Sequence, residues 1–239
     1  MRPFLFFVAG LAIATGARSA PPMQFASGPA RVSLIELYTS EGCSSCPPAE
    51  RWLGQLRDAP GLWRDFVPVA WHVDYWNRLG WPDRFSTREF TRRQYAAVAA
   101  WGTDSVYTPC FVRDGAEWRT REGPRPAAAG PANAGRLTVD YDGATLRAEF
   151  TPPDGAAGAY DLHAAILGGG IVSNVTSGEN RGETLRHEFI AVALKHGPLG
   201  RDLTLAVPAI AGVKRHALAV WVTRRGALVP LQATGGWLD

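Results

Sequence analysis

Residues 36–48 read Glu36-Leu37-Tyr38-Thr39-Ser40-Glu41-Gly42-Cys43-Ser44-Ser45-Cys46-Pro47-Pro48. The run 32–38, which leads into this stretch, is short and apolar with polar residues on both sides, as is typical of a buried parallel strand. Pro47 and Pro48 lack the amide hydrogens that the first turn of a helix leaves unbonded, and their fixed φ suits that turn. The stretch therefore predicts a strand that leads through a Cys-x-x-Cys into a helix.

The two cysteines of this stretch have the spacing of a redox pair. Cys43 is expected at the start of the helix, where free amide N–H groups and the helix dipole stabilise a thiolate. Cys46, one turn further on, can close a small disulfide with Cys43, and such a pair can pass a disulfide to another molecule. The same spacing also occurs in zinc sites, but no second Cys-x-x-Cys completes one here. Redox chemistry is therefore favoured over metal binding and over a structural disulfide.

A second motif, Val106-Tyr107-Thr108-Pro109-Cys110-Phe111-Val112, places a proline at the mouth of an apolar strand. The order strand, Cys-x-x-Cys helix, strand, helix and then Thr-Pro before a strand resembles the thioredoxin fold. In that fold the proline is cis and packs against the disulfide. The resemblance implies that the bond between Thr108 and Pro109 is cis and that both residues lie beside the sulfur atoms.

Five motifs are similar to those of a family of secreted, thioredoxin-like bacterial proteins that is known only as a domain of unknown function. They are Tyr38 to Ala49, His72-Val73-Asp74-Tyr75-Trp76, Leu79-Gly80-Trp81, Val106-Tyr107-Thr108-Pro109 and Gly178-Glu179-Asn180-Arg181-Gly182. The match covers nearly the whole mature chain. The resemblance implies a thioredoxin-like fold and export from the cytoplasm, and it implies little about the substrate.

The resemblance also implies roles for individual residues. Cys43 is the expected nucleophile, more exposed, and Cys46 the expected resolving thiol, more buried. Glu36 lies in the apolar strand, where it is expected to take the place of the buried carboxylate of thioredoxins and to exchange a proton with Cys46. The alternative is a glutamate at the strand edge that reaches solvent. His72 and Asp74, at the end of the next strand, are weaker candidates for proton transfer.

The loop 74–84 is rich in aromatic residues and follows the second apolar strand. Ligands of open α/β sheets bind beyond the carboxyl ends of the strands, on the same side as Cys43. Tyr75, Trp76 and Trp81, together with Thr108, are therefore the predicted substrate-binding residues. An aromatic cap that packs only on the protein itself fits the same sequence.

The first residues predict export. Met1-Arg2-Pro3 carries one positive charge and precedes the short apolar run 4–14, which is the pattern of a secretory signal peptide. Small residues before a cleavage point occur at 15–17 and at 18–20, and the first set suits cleavage better. The signal peptide is placed within residues 1–20, and the mature protein is predicted to be periplasmic or secreted without a membrane span. The alternative is an uncleaved anchor.

The chain has 239 residues, of which 46% are apolar, and a net charge of +3. We predict the α/β fold class: a thioredoxin-like domain over 31–121, a linker rich in proline, alanine and glycine over 122–136, and a β-rich, sandwich-like domain over 137–239. No basic cluster with interleaved aromatic residues is present, so nucleic acid is not an implied partner. No nucleotide, flavin or haem motif appears, and no cofactor is predicted.

Three functions fit the sequence. The first is an exported thiol–disulfide oxidoreductase that exchanges disulfides with protein thiols through Cys43 and Cys46, and it predicts an exposed Cys43. The second is a protein that handles a soft metal ion such as Cu(I) through Cys43, Cys46 and His72. The third is a non-catalytic secreted binding module with a buried, structural disulfide. Cys110 is either a third functional thiol or, as we favour, a small buried residue at a strand start.

Overall fold

A computed structural model describes residues 22–119, 130–155 and 157–238. The predicted signal peptide lies outside these ranges, as does most of the predicted linker. None of the helices within the ranges combines the length and the apolar character needed to cross a membrane.

The chain first forms β1 (Met23–Ala26), β2 (Ser33–Thr39), α1 (Pro47–Gln55), β3 (Phe66–His72), α2 (Arg88–Ala100), β4 (Cys110–Arg113) and β5 (Ala116–Glu117). It continues with β6 (Arg136–Tyr141), β7 (Thr145–Thr151), β8 (Tyr160–Gly169), β9 (Ile171–Asn174), β10 (Thr184–His187), β11 (Ile190–Pro198), β12 (Leu203–Thr204), β13 (Arg215–Arg224) and β14 (Pro230–Trp237). The predicted strand 32–38 and the helix that follows the Cys-x-x-Cys are therefore present.

One large sheet carries the site. Its eight strands lie in the order β14-β13-β8-β11-β3-β2-β4-β5. Strand β3 is parallel to β2 on one side and to β11 on the other, whereas the remaining neighbours are antiparallel. Every residue of β2 and β3 is buried, which explains why both strands read as continuous apolar runs.

The predicted fold class, an α/β thioredoxin-like domain followed by a separate β-rich region, is wrong. The described residues form fourteen strands and only two α-helices, and the protein is mostly β-sheet. The pattern of apolar residues located most strands, but it carries no information about which strands pair. Strand β11, from the region predicted to form a separate domain, pairs with β3, and Ile190 lies opposite Ala70. The division at residues 122–136 stays a prediction, and strands from both sides of it share the large sheet.

A second sheet of four strands, in the order β1-β6-β7-β12, covers part of one face of the large sheet. Successive side chains of strand β8 point to opposite faces of the large sheet, so this strand contributes to the packing on both faces. Leu162 and Ile166 pack with Leu137 of the smaller sheet, while Ala165 and Leu167 pack in the cluster that also contains residues of β2 and β3. The large sheet is therefore buried on both faces in this region.

The two helices pack on opposite faces of β2. Thr39 donates a hydrogen bond to Glu50 of α1, and Glu36 accepts hydrogen bonds from Arg93 of α2. Positions 36 and 39 point to opposite faces because successive side chains of a strand alternate. Helix α1 thus lies over the end of the sheet where the Cys-x-x-Cys loop leaves β2.

Candidate functional site

Cys43 and Cys46 form a disulfide at the start of α1, with Cα atoms 5.4 Å apart. Cys46 is the residue before the first helical turn, and its carbonyl accepts hydrogen bonds from the amides of Ala49 (3.0 Å) and Glu50 (3.1 Å). Cys43 was predicted to be exposed, and this prediction is wrong: both cysteines have 0% exposure. The exposed residues of the loop are the two serines between them.

The Thr-Pro motif lies against this disulfide. The bond between Thr108 and Pro109 is cis, as predicted. The carbonyl oxygen of Thr108 lies 3.8 Å from Sγ of Cys43, and the Thr108 hydroxyl accepts a hydrogen bond of 2.8 Å from the indole N–H of Trp76. The structure therefore brings three predicted site residues, Cys43, Thr108 and Trp76, into one continuous set of contacts.

The other two predicted aromatic residues, Trp81 and Tyr75, form hydrogen bonds with two different parts of the protein. Trp81 donates its indole N–H to Oε2 of Glu41 (2.7 Å), two residues before Cys43. The hydroxyl of Tyr75 donates to Oε1 of Gln94 in α2 (3.2 Å). Tyr75, Trp76 and Trp81 are each partly exposed, so the loop covers the site and still presents aromatic surface to solvent.

The connection between β9 and β10 holds the Cys-x-x-Cys loop from outside, and its role was not predicted. Asn180, buried in this connection, donates hydrogen bonds to the carbonyls of Glu41 (2.8 Å) and Cys43 (3.0 Å). The carboxylate of Glu179 accepts hydrogen bonds from the amide (3.1 Å) and the hydroxyl (2.8 Å) of Ser44. The available signal was the motif 178–182, which was recognised as similar to the family but given no role.

Glu36 is buried, as predicted, but its carboxylate already accepts hydrogen bonds from other side chains. Oε1 accepts hydrogen bonds from Trp71 (2.9 Å) and from two nitrogens of Arg93 (2.9 and 2.6 Å). Its hydrogen-bond partners in the described part of the chain do not include Cys46. The predicted proton exchange with Cys46 therefore has no geometric support.

His72 lies in a different set of contacts from the one predicted for a soft metal ion. Its Nδ1 is 2.7 Å from Oδ2 of Asp83, and both side chains are buried. His187 of β10 contacts carboxylates through both ring nitrogens: Nδ1 faces Glu50, and Nε2 is 3.2 Å from Oε1 of Glu41. In the described ranges, the group of residues spaced to share a metal ion contains His72, His187 and Glu50 but no cysteine.

This cluster, Glu41, Glu50, His72, Asp83 and His187, alters the pKa values of its members. Burial opposes a charged imidazole, but the Glu50 and Glu41 carboxylates outweigh this effect and raise the pKa of His187 to about 10. Burial likewise opposes a charged Glu50, yet His187 holds the pKa of that carboxyl below its usual value. One signal for Glu50 was available, since it shares the buried face of α1 with Ala49 and Leu53.

Cys110 is a free, buried thiol at the start of β4. Burial raises the pKa of this thiol to about 11. These properties agree with the packing role that we favoured from the sequence.

Fold and site together define a mostly β-sheet protein in which surrounding loops enclose a Cys-x-x-Cys disulfide. Residues 34–223 match the family described as "Protein of unknown function (DUF1223)", and the chain belongs to this family. None of the curated proteins compared with the chain matches it.

Two solved structures are similar. The crystal structure of protein AGR_C_4864 from Agrobacterium tumefaciens shares 25% sequence identity over 86% of this chain and 94% of that one, with a TM-score of 0.56. HBP35 of Porphyromonas gingivalis shares 12% identity over 89% of this chain and 77% of that one, with a TM-score of 0.55. The second similarity concerns the fold alone.

Proposed function

We propose that the protein is an exported thiol–disulfide exchange protein whose redox pair is Cys43 and Cys46. The observation that carries the proposal is the placement of this disulfide at the start of α1, with the carbonyl of Thr108 against Sγ of Cys43. The positive end of the helix dipole stabilises a thiolate at a helix start. The resemblance of residues 38–49 to thioredoxin-like proteins supports the same chemistry, and the predicted signal peptide supports an oxidising compartment.

The reaction is an exchange of one disulfide for another. In the reduced protein, the Cys43 thiolate attacks a partner disulfide, forming a mixed disulfide and releasing one partner sulfur as a thiolate, which takes up a proton. The Cys46 thiolate then attacks Sγ of Cys43 and releases the second partner sulfur. The pair loses two electrons and becomes a disulfide, while the partner gains two electrons and two protons. The same steps in reverse oxidise a partner dithiol.

The short loop between the cysteines argues against a role in stability alone. In the loop-closure treatment, a disulfide stabilises by restricting the unfolded chain, and the gain grows with the number of residues enclosed. For the four-residue loop here it is about 2 kcal/mol, against about 3 kcal/mol for a 15-residue loop. A disulfide between residues far apart in the sequence would stabilise the fold more.

The test is the reduction potential of the pair in the mature protein, equilibrated with glutathione buffers and read by mass. A potential between roughly −120 and −270 mV is expected, the range of working oxidoreductases. A potential below roughly −300 mV would overturn the proposal, since structural disulfides have such values. Cys110→Ser is the matched control and should leave the potential unchanged.

The order of attack has a separate test. Cys46→Ser leaves Cys43 free to form a mixed disulfide that cannot be resolved, so this variant should accumulate glutathione adducts. Cys43→Ser should accumulate far fewer, because in the proposed order Cys46 attacks Cys43 and not an external disulfide. Equal adduct formation by both variants would contradict the assignment of Cys43 as nucleophile.

One observation favours a second candidate, a secreted binding module whose disulfide is only structural. Both cysteines are fully buried, whereas an exchange reaction needs access to Cys43. This candidate expects the low potential named above and resistance to mild reductants in the folded protein.

A further inference from the structure

Five ionisable side chains lie together near the Cys-x-x-Cys loop. They form the cluster defined above: Glu41, Glu50, His72, Asp83 and His187. All five residues are buried, with exposures of 7% or less. They come from five different places in the chain: the loop after β2, helix α1, strand β3, the loop from β3 to α2, and strand β10. Charged groups are rarely buried together unless they are paired or hold an ion.

The charges of the cluster do not balance. It contains three carboxylates and two imidazoles. Even with both imidazoles protonated, one negative charge remains uncompensated within the cluster. The cluster is therefore suited to a cation.

Two nitrogens of the cluster, Nε2 of His72 and Nε2 of His187, have no hydrogen-bond partner among the described residues. Nδ1 of His72 is bonded to Asp83, but Nε2 is buried and unpaired among the described residues. Buried polar atoms in folded proteins nearly always have a hydrogen-bond partner, so an unpaired one calls for an explanation. His72 also belongs to the group, with Glu50 and His187, in which one ligand atom from each residue lies within 4.8 Å of the others.

Each of these three side chains is oriented by a second polar partner. Asp83 holds the opposite nitrogen of His72, Glu41 faces the opposite nitrogen of His187, and Thr39 donates its hydroxyl to Glu50 (2.6 Å). Metal-binding histidines almost always give their second ring nitrogen to a carboxylate or a carbonyl, which fixes the ring and makes it a better ligand.

We propose that Glu50, His72 and His187 form a binding site for a zinc ion. Two imidazoles and one carboxylate are a ligand set that zinc uses in proteins. Zinc ligands at about 2.0–2.2 Å from the metal lie roughly 3.3–3.6 Å apart, so ligand atoms that now lie within 4.8 Å of one another would need to close by about 1.5 Å at most. The ion also neutralises the excess carboxylate charge.

A route to the site exists from the surface. A cleft of about 490 Å³ beside α1 is lined by residues that include Glu50 and His187. An ion entering this cleft meets two of the three ligands. The site differs from the soft-metal site considered from the sequence, because the cysteines take no part in it.

The first experiment measures zinc binding by the mature protein, purified without a histidine tag and stripped with a chelator. Titration against a chromophoric zinc indicator should show one zinc per chain. Absence of binding by the folded wild-type protein would overturn the proposal.

Matched variants then locate the ion. His187→Gln and His72→Gln should abolish the stoichiometric site, whereas His196→Gln, at an exposed position on β11, should keep it. Glu41→Gln, which alters only an outer partner, should weaken binding by roughly 10- to 100-fold. Retention of zinc by both ligand variants, or its loss in His196→Gln, would contradict the assignment.

The cobalt(II) spectrum of the wild-type protein keeps the proposal testable if a ligand variant does not fold. Nitrogen and oxygen ligands should give visible d–d bands without the near-ultraviolet band of a cobalt–sulfur bond. The double variant Cys43→Ser, Cys46→Ser should give the same spectrum. A sulfur band in the wild-type spectrum would place the metal at the cysteines and overturn the proposal.

Discussion

At the scale of single residues, Asn180 is one of the side chains that link the Cys-x-x-Cys loop to the second half of the chain. Its amide donates hydrogen bonds to two backbone carbonyls of the loop, those of Glu41 and Cys43. Because Asn180 is buried, neither carbonyl can exchange this partner for water without movement of the connection.

We predict that Asn180→Ala lowers the free energy of unfolding by about 1–3 kcal/mol, the usual cost of leaving a buried polar group unpaired. The same change should speed reduction of the disulfide by a small thiol, because the loop loses its cover. Urea denaturation and the rate of thiol release measure the two effects. Asn174→Ala, at an exposed position of β9, is the control and should change neither.

Cys110 offers a second prediction at this scale. With a pKa of about 11, roughly one thiol in a thousand is ionised at pH 8. The native protein should therefore react with iodoacetamide far more slowly than a free thiol does, and the same thiol should react at once in denaturant. Mass spectrometry of timed samples checks this, and rapid labelling of the native protein would show that Cys110 is accessible.

Sequence reasoning at the residue scale succeeded where the signal was local. The Cys-x-x-Cys and the Thr-Pro are each contained in a few consecutive residues, so the cysteine spacing predicted the disulfide, and the resemblance to the thioredoxin fold implied the cis bond. Asn180 and His187 act on residues more than 100 positions away, and no local pattern states which distant atom a side chain will meet.

At the scale of elements, the cationic side chain of Arg93 connects helix α2 to the large sheet. Arg93 pairs with the buried Glu36, and its guanidinium lies over the rings of Trp71 (5.0 Å) and Trp221 (5.1 Å). This ion pair therefore holds α2 against the sheet beside Phe90 and Gln94, which are buried on the same helix.

We expect Arg93→Met to destabilise the protein by about 3–5 kcal/mol, because it leaves Glu36 buried without a counter-ion. Arg92→Met, at an exposed position of the same helix, should change stability by less than about 0.5 kcal/mol. Thermal and urea unfolding measure both. If the two variants were equally stable, the pair would contribute little to the docking of α2.

Helical spacing predicted where α1 lies, yet Glu50 was overlooked. Its position on the buried face of α1 was readable from the sequence, but a glutamate in a surface helix is usually solvated. His187 makes the burial of Glu50 possible, but the two residues are far apart in the sequence, so local sequence does not indicate that they meet.

At the scale of the whole molecule, the large sheet joins the two halves of the chain. β3 lies between β2 and β11, and β11 begins at residue 190. The strand positions could be predicted from alternation and apolar runs, but the order of strands could not, since pairing depends on contacts that form only in the folded chain.

This topology predicts that residues 31–121 do not fold when produced alone. Without β11, one edge of the fully buried β3 would be exposed together with its apolar side chains. Circular dichroism and urea titration of the fragment should show no cooperative transition. In the matched control, the full mature chain cut at a protease site inserted between residues 121 and 129 should elute as one complex under native conditions. A cooperative transition in the fragment would establish residues 31–121 as an independent domain.

The position of Asn180 in the sequence also determines how late in synthesis the Cys-x-x-Cys loop can be covered. It lies 137 residues after Cys43, so the ribosome must add all of these residues before the cover of the Cys-x-x-Cys loop exists. At ordinary rates of synthesis this interval is roughly 7–27 s. During that time the newborn thiols are open to any oxidant they meet, and afterwards the folded loops restrict what can reach them.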